Sequence, residues 1–126
     1  MRREELERIA KAAEPFGLHL RQESGGDTLV QAGKSSARRA VHLVFAGEKV
    51  RPEYPEPTPE PGAYRRVKGL RLIPLADLIR MKLTSFRAID EAQLKDLDEA
   101  GLITPEIEAG LSPLLAERLA QVRARG

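Results

Sequence analysis

The sequence predicts an α+β fold, with a small mixed β-sheet packed against helices and a helical C-terminal third. An amphipathic N-terminal segment precedes several short β-rich segments, prolines occupy five of the ten positions 52–61, and residues 75–124 carry repeated helix start and stop signals. The chain has 126 residues, 41% of them hydrophobic, which is enough for one modest core, so we assign residues 1–126 to a single domain.

The first predicted elements are a helix and a β-hairpin. Residues 3–16 place apolar side chains on one helical face, and Gly17 follows as a stop signal. The members of that face are Leu6, Ile9, Ala10, Ala13 and Phe16. Residues 18–22 and 28–32 have the composition of short strands, and the Ser-Gly-Gly-Asp sequence at 24–27 predicts the turn between them.

The middle of the chain combines strands with a proline-rich connection. Val41–Phe45 is the strongest strand prediction, because it is rich in β-branched and aromatic residues. Residues 33–39 are polar and predict a connection or a short helical turn before it. The prolines of 52–61 predict an extended, polyproline-like surface loop, and Leu70–Ile73 predicts one more strand.

Helix signals dominate the C-terminal part. Pro74 stands where a helix begins, and residues 89–100 predict a second helix that ends before Gly101. The pairs Thr104-Pro105 and Ser112-Pro113 have the N-cap and first-turn residues that open two further helices.

Lys82 stands out on the first of these helices. It falls within an apolar stripe formed by Leu75, Leu78, Ile79, Leu83 and Phe86. A buried lysine needs a partner, so three roles remain open. The ammonium reaches water, it pairs with Asp96 if two helices form a hairpin, or it faces an anionic ligand.

Other motifs give weaker signals. Gly33-Lys34-Ser35 resembles the end of a phosphate-binding P-loop, but Thr28 stands where that motif needs glycine, so we do not predict one. His19 and His42 lack metal-ligand spacing. Basic residues cluster at two places, at Arg38 and Arg39 and, beside Tyr64, in the cluster Arg65, Arg66, Lys68 and Arg71. A solvated charged face is the favoured interpretation of the cluster over a phosphate-contacting patch.

Composition excludes several classes of function. The absence of cysteine removes disulfides, thiolate catalysis and cysteine-based zinc sites. A net charge of +2 does not indicate nucleic-acid binding. Because no segment resembles a signal peptide or a membrane span, we expect a cytoplasmic location without a membrane partner. Abundant Arg, Glu, Leu and Pro with no Asn suits a thermophile or a GC-rich genome.

Three segments carry a family resemblance. VHLVFAGEKVRPEY at 41–54, LIPLADLIRMKLTSFR at 72–87 and LKDLDEAGLI at 94–103 resemble a bacterial nucleotidyltransferase-like family. That family belongs to the DNA polymerase β-like superfamily, near the minimal nucleotidyltransferases and the AbiE-type toxin components. The resemblance implies transfer of a nucleoside monophosphate from an NTP, with two metal ions held by three carboxylates.

The chain departs from that pattern in its metal-binding part. Before its first helix it carries neither the Gly-Ser segment nor the Asp-x-Asp strand, which gives the expectation of a truncated nucleotidyltransferase-like fold. His42 occupies the strand position of the third carboxylate, as a vestigial site, and a neutral imidazole does not replace a carboxylate as a bridging ligand of Mg²⁺. We therefore assign no catalytic residue, no metal ligand and no cofactor; Mg²⁺ would be required only if the missing N-terminal half were present.

Other residues of the family pattern are retained. The resemblance implies that Lys82 and Arg87 contact a nucleotide or another phosphate, with Asp96 as the carboxylate that orients Lys82. The leading hypothesis is a catalytically degenerate module that binds a nucleotide or a partner protein. One alternative is an active nucleotidyltransferase whose N-terminal half is absent from this chain. Another is a structural interaction protein, forming a homodimer or a heteromeric complex through an open sheet edge.

Overall fold

The structure, a computed structural model, describes residues 1–23, 26–31, 40–62 and 64–125. It confirms the α+β class. The expected single mixed sheet is wrong, since the described strands form a three-stranded sheet β1-β2-β3 and a separate pair β4-β5, all antiparallel. Strands β2 and β3 are separated by residues 32–40, a connection shorter than the dozen or so residues that a parallel crossover needs.

The N-terminal helix is α1, Leu6–Ala13, with a 3₁₀ turn at each end, Arg3–Glu5 and Glu14–Phe16. Gly17 ends it with φ of 74°, the left-handed conformation expected of the stop signal. Phe16 does not belong to the buried face as predicted; it is 78% exposed, because the tightened last turn departs from α-helical spacing.

Strands β1 (Leu18–Glu23) and β2 (Gly26–Gln31) form the predicted hairpin, and the turn between them includes two residues outside the described ranges. The third strand is shorter than predicted: β3 covers only Val41–His42. Leu43 N–H still bonds to the carbonyl of Asp27 in β2; beyond it the chain leaves the sheet, and the Ala46 N–H donates to the carbonyl of Met1 instead of continuing the ladder.

Residues 47–58 form a closed loop that we call the strap. Its base is held by two backbone hydrogen bonds, from Gly47 N–H to Thr58 O at 2.8 Å and from Thr58 N–H to Glu48 O at 2.9 Å. Gly47 has φ of 74°, a left-handed conformation that favours glycine, and a Cβ there would lie 2.8 Å from Oε1 of Glu60, whose exposed side chain would have to shift. The strap contains most of the predicted proline-rich loop, and no residue of 52–61 is fully buried.

A second hairpin follows the strap. It consists of β4 (Arg65–Val67), which was not predicted, and β5 (Leu70–Leu72), which was. Lys68 and Gly69 both have positive φ, 50° and 80°, as a type I′ turn requires. All six strand residues are exposed, so β4 lacks the alternation of apolar and polar residues by which a half-buried strand is predicted from sequence.

The remaining helices are α2 (Leu75–Ser85), α3 (Ala88–Glu99), α4 (Pro105–Ala109) and α5 (Pro113–Ala124). The predicted caps are confirmed, since Thr104 and Ser112 accept hydrogen bonds from Ile107 N–H and Leu115 N–H. At the end of α3 the N–H groups of Gly101 and Leu102 bond to the carbonyls of Asp98 and Leu97, a Schellman motif.

The main core lies between α2, α3 and α5. Its buried members are Ile79, Leu83, Leu94, Ile103, Leu115, Leu119 and Val122. Of the predicted α2 stripe, Ile79 and Leu83 are fully buried, while Leu75 and Phe86 pack at the edge. Within the described ranges, no helix has the length and apolar character needed to cross a bilayer.

Candidate functional site

A cleft of about 490 Å³ lies between the strap and helix α2, with β3 at one side, and we call it the strap cleft. The strap contributes Arg51, Tyr54 and Glu56, and β3 contributes His42. The helical wall is formed by Leu78, Arg80, Met81, Lys82, Ser85, Arg87 and Asp90. The cleft therefore brings together three residues that the sequence singled out, His42, Lys82 and Arg87.

Lys82 is held by the helix that follows its own. Its side chain is 20% exposed, and its ammonium lies 3.9 Å from a carboxylate oxygen of Asp90 and donates a hydrogen bond to Gln93 Oε1. Lys82 is thus ion-paired, but with Asp90 rather than with Asp96 as predicted, and Lys82 also lines the cleft.

The prediction that Asp96 orients Lys82 is not met. Among the described residues, the carboxylate within ion-pair distance of Lys82 is Asp90, while Asp96 is exposed and does not line the cleft. A two-residue connection joins α2 to α3, so each residue near the end of α2 faces the first turns of α3. Asp96 lies six residues beyond Asp90, which is about 9 Å further along the helix axis.

Asp90 is the residue that the sequence interpretation missed. It is the third residue of α3 and 2% exposed, and one of its oxygens accepts from Ser85 Oγ at 2.7 Å, Arg87 N–H at 3.0 Å and Arg87 Nε at 2.8 Å. Burial alone would raise its pKa, but the hydrogen bonds from Arg87 and Ser85 outweigh burial and hold the pKa of this carboxyl below its ordinary value. The sequence feature that could have identified Asp90 is its position as an acidic residue in the first turn of a helix that follows a short connection.

The junction before α3 is fixed from a third helix. Phe86 ends α2 with φ of 48°, a left-handed conformation that is strained for a residue with a side chain. Arg118 of α5 donates to the carbonyls of Leu83 and Thr84, both at 2.8 Å, and its guanidinium lies over the Phe86 ring at 5.1 Å from the centroid. Arg118 therefore caps α2 and stabilises the turn that positions Lys82 and Arg87.

Positive charge exceeds negative charge at the cleft. Its cations are Arg51, Arg80, Lys82 and Arg87, and its carboxylates are Glu56 and Asp90. Arg80 lies 3.6 Å from Asp77 and 3.9 Å from Glu56, and Arg51 makes no ion pair with any described residue. Apolar side chains complete the lining, including Val44, Val50, Leu78 and Met81. Such a site suits a ligand with an anionic group and an apolar portion.

A second cavity of about 320 Å³ lies between the N-terminal segment and the β1–β3 sheet. Arg3 donates from Nε to both oxygens of Glu48 at 3.1 and 3.0 Å, lies 3.5 Å from Asp27, and stacks over Phe45 at 4.0 Å. Because carboxylates outnumber cations in its lining and engage Arg3, this cavity is less suited to an anion than the strap cleft.

Among the remaining sequence motifs, those that the structure describes do not line the cleft. Gly33-Lys34-Ser35 and Arg38-Arg39 lie outside the described residues. The cluster Arg65, Arg66, Lys68 and Arg71 lies on the exposed β4–β5 hairpin, where Arg71 stacks on Tyr64 at 4.9 Å. Within the described ranges, no three histidine or acidic side chains come together in a group that could hold a metal ion.

Comparisons with models of known families, with curated proteins and with solved structures found no match to this chain. The nucleotidyltransferase-like resemblance therefore stays a prediction. The cleft must be interpreted from the chemistry of its own residues.

Proposed function

We propose that this chain is a nucleotide-binding module of the nucleotidyltransferase-like type, whose strap cleft holds the phosphate groups of the nucleotide. The observation that carries the proposal is the convergence of Lys82, Arg87, Arg80 and Arg51 on one cleft that also has apolar walls. Phosphate groups favour clustered lysine and arginine side chains, and a base or sugar needs adjoining apolar surface.

The network around Asp90 supports this role by fixing the cations in place. Arg87 is 65% exposed even though its Nε and Nη2 bond to Asp90, so the guanidinium keeps donors for a ligand. Lys82 is restrained in the same way by Asp90 and Gln93. Restrained cations lose less side-chain entropy when an anion binds, which favours affinity.

The same residues argue against complete nucleotidyl transfer by this chain. Of the two carboxylates at the cleft, Asp90 is already engaged by Ser85, Arg87 and Lys82, and the β3 position carries His42. That donor set does not fit two Mg²⁺ ions, which prefer carboxylate oxygen ligands. Robust Mg²⁺-dependent transfer of AMP or GMP by the purified chain would overturn this part of the proposal and favour the active-enzyme alternative.

The interaction-protein alternative also has an observation in its favour. Leu70 is 65% exposed on the β4–β5 hairpin, and Val67 and Leu72 beside it are 40% and 44% exposed. In addition, β3 is a two-residue edge strand with both residues exposed. Light scattering at high protein concentration tests this alternative, because a monomer there would count against a homodimer.

Titration calorimetry with ATP, GTP and tripolyphosphate tests nucleotide binding directly. Lys82→Met removes the ammonium but keeps a similar apolar stem, so we expect at least a tenfold loss of affinity. Lys95→Met is the matched control, because Lys95 is an exposed lysine on α3 that does not line the cleft. Equal affinity of the wild-type and Lys82→Met proteins, with unchanged thermal stability, would show that Lys82 does not contribute to nucleotide binding.

A further inference from the structure

The two carboxylates of the strap cleft are held very differently. Asp90 is 2% exposed and accepts four hydrogen bonds, from Ser85 Oγ and from the Nε, Nη2 and backbone N–H of Arg87. Glu56 belongs to the strap, its side chain is 25% exposed, and its contact with Arg80 Nε is long, at 3.9 Å, without a hydrogen bond between them. An incoming anion therefore displaces Glu56 far more readily than Asp90.

Glu56 is also placed to connect the two walls of the cleft. Within the described part of the chain, the Arg80–Glu56 contact is the ion pair that joins the strap to α2. The strap is closed at its base by the hydrogen bonds between residues 47–48 and Thr58, and a bond from Tyr54 N–H to Arg51 O at 3.0 Å forms a turn near its tip. Glu56 lies between the turn and the base, so its release frees the tip while the base stays closed.

We propose that Glu56 determines which anions the cleft accepts, by occupying Arg80 until a ligand long enough to reach Arg80 displaces it. This inference rests on the proposed phosphate-binding function. Lys82 and Arg87 share the Asp90 carboxylate, whereas Arg80 lies beside Asp77 and Glu56, so a single phosphate that binds at Lys82 and Arg87 leaves the Arg80–Glu56 contact intact. An extended oligophosphate also reaches Arg80, so it must displace Glu56 and release the strap.

The consequence is a selectivity that depends on ligand length. Every ligand that reaches Arg80 loses affinity to competition from Glu56, whereas a ligand confined to Lys82 and Arg87 does not. Removing the Glu56 charge should therefore strengthen binding of the long ligand selectively. A general effect of lowering the negative charge near the cleft would instead strengthen binding of both ligands.

The test compares Glu56→Gln with Glu53→Gln, which removes the same charge from an exposed strap residue that makes no ion pair with any described residue. Calorimetry with tripolyphosphate and orthophosphate should show about fivefold tighter tripolyphosphate binding by Glu56→Gln. Orthophosphate affinity should stay within about twofold of wild type, and Glu53→Gln should match wild type for both ligands.

A double-mutant cycle and hydrogen exchange complete the test. In an Arg80→Gln background, Glu56→Gln should no longer increase tripolyphosphate affinity, because the competition acts through Arg80. In the free protein, amides of residues 50–57 should exchange faster in Glu56→Gln than in Glu53→Gln. Tighter binding of both phosphates, a gain that survives Arg80→Gln, or unchanged exchange would each overturn the inference and leave the proposed function standing. If no protein binds either phosphate, both fail together.

Discussion

The helical C-terminal region and the N-terminal region with the sheet differ sharply in how much side chain they bury. The largest fully buried side chains are Ile79, Leu83, Leu94, Leu115, Leu119 and Asp90, all on α2, α3 or α5. Among the described residues before α2, the buried apolar side chains are Ala13, Leu29 and Phe45, each 6–8% exposed. The free energy of folding is therefore concentrated in the helices, and the sheet region depends on fewer apolar contacts.

This difference has a direct meaning for the strap cleft. One wall is α2, which belongs to the best-packed part of the molecule, and the other wall is the strap, in which no residue is fully buried. Lys82 and Arg87 are thus held by a rigid framework, whereas Arg51 and Glu56 are carried by a segment with little packing of its own. Ligand-responsive segments are commonly drawn from regions of low local stability.

The largest expected effect comes from deleting a buried leucine in each region. Leu119→Ala leaves a cavity among α2, α3 and α5, since Leu119 is 0% exposed, and should lower the free energy of unfolding by about 3 kcal/mol. Leu29→Ala in the small sheet should lower it by roughly half as much, because Leu29 lies outside the main cluster of buried side chains. Urea unfolding followed by circular dichroism measures both.

Equal losses in the two variants would contradict the comparison between the regions. The sharper measurement is native-state hydrogen exchange on the wild-type protein. Amides of α2 and α5 should exchange only through global unfolding, whereas β1 and β2 should exchange through smaller openings with lower free energies.

The next effect concerns the charge of Asp90. Asp90→Asn replaces an ionised acceptor that is bonded to Arg87 and Ser85, and should lower the free energy of unfolding by about 2 kcal/mol at pH 7. Lys82 and Arg87 are partly exposed and can turn to water, which keeps the loss moderate. Thermal and urea unfolding at pH 7 provide the measurement.

The pH dependence of Asp90 has a definite sign. Its pKa is lowered in the folded state, so its contribution to stability is fully present above the ordinary aspartate pKa of about 3.9 and is lost as the pH falls through the lower folded value. Stability measured from pH 6 to pH 2 should therefore fall less steeply in Asp90→Asn than in wild type. Parallel profiles for the two proteins would show that Asp90 is not ionised at a lowered pKa.

The smallest effect is the loss of a single cap in the helical region. Thr104 Oγ1 accepts a hydrogen bond from Ile107 N–H at 3.3 Å, so Thr104→Ala should lower the free energy of unfolding by about 1 kcal/mol. Thr104→Ser keeps the hydroxyl and serves as the control, with a change below about 0.5 kcal/mol. Equal destabilisation by Thr104→Ala and Thr104→Ser would show that the loss of stability comes from the missing methyl group rather than from the missing capping hydrogen bond.

The features predicted best from the sequence are helix ends, which depend on residues close together in the chain. The stop at Gly17 and the openings at Thr104 and Ser112 were found because each depends on backbone groups within a few residues. Strand length was overestimated at Val41–Phe45, because the composition of a segment does not reveal how long its partner strand runs beside it.

The site was predicted only where it depends on α2. Lys82 and Arg87 were recognised, but Asp90 was passed over in favour of Asp96, because the choice depends on where a two-residue connection turns the chain. The strap's approach to α2 could not be predicted either. It includes the Arg80–Glu56 contact between residues 24 positions apart, and local periodicity does not predict a contact at that separation.

The exposed β4–β5 hairpin divides the chain into two parts. None of its strand residues is buried, and its turn depends only on the backbone conformation of Lys68 and Gly69. Altering the turn therefore removes no contact from the buried helical core. The buried helical core begins after it, at Ile79. The hairpin is therefore the place where extra residues, a reporter sequence or even new chain ends are tolerated with the least effect on the Lys82–Asp90 site.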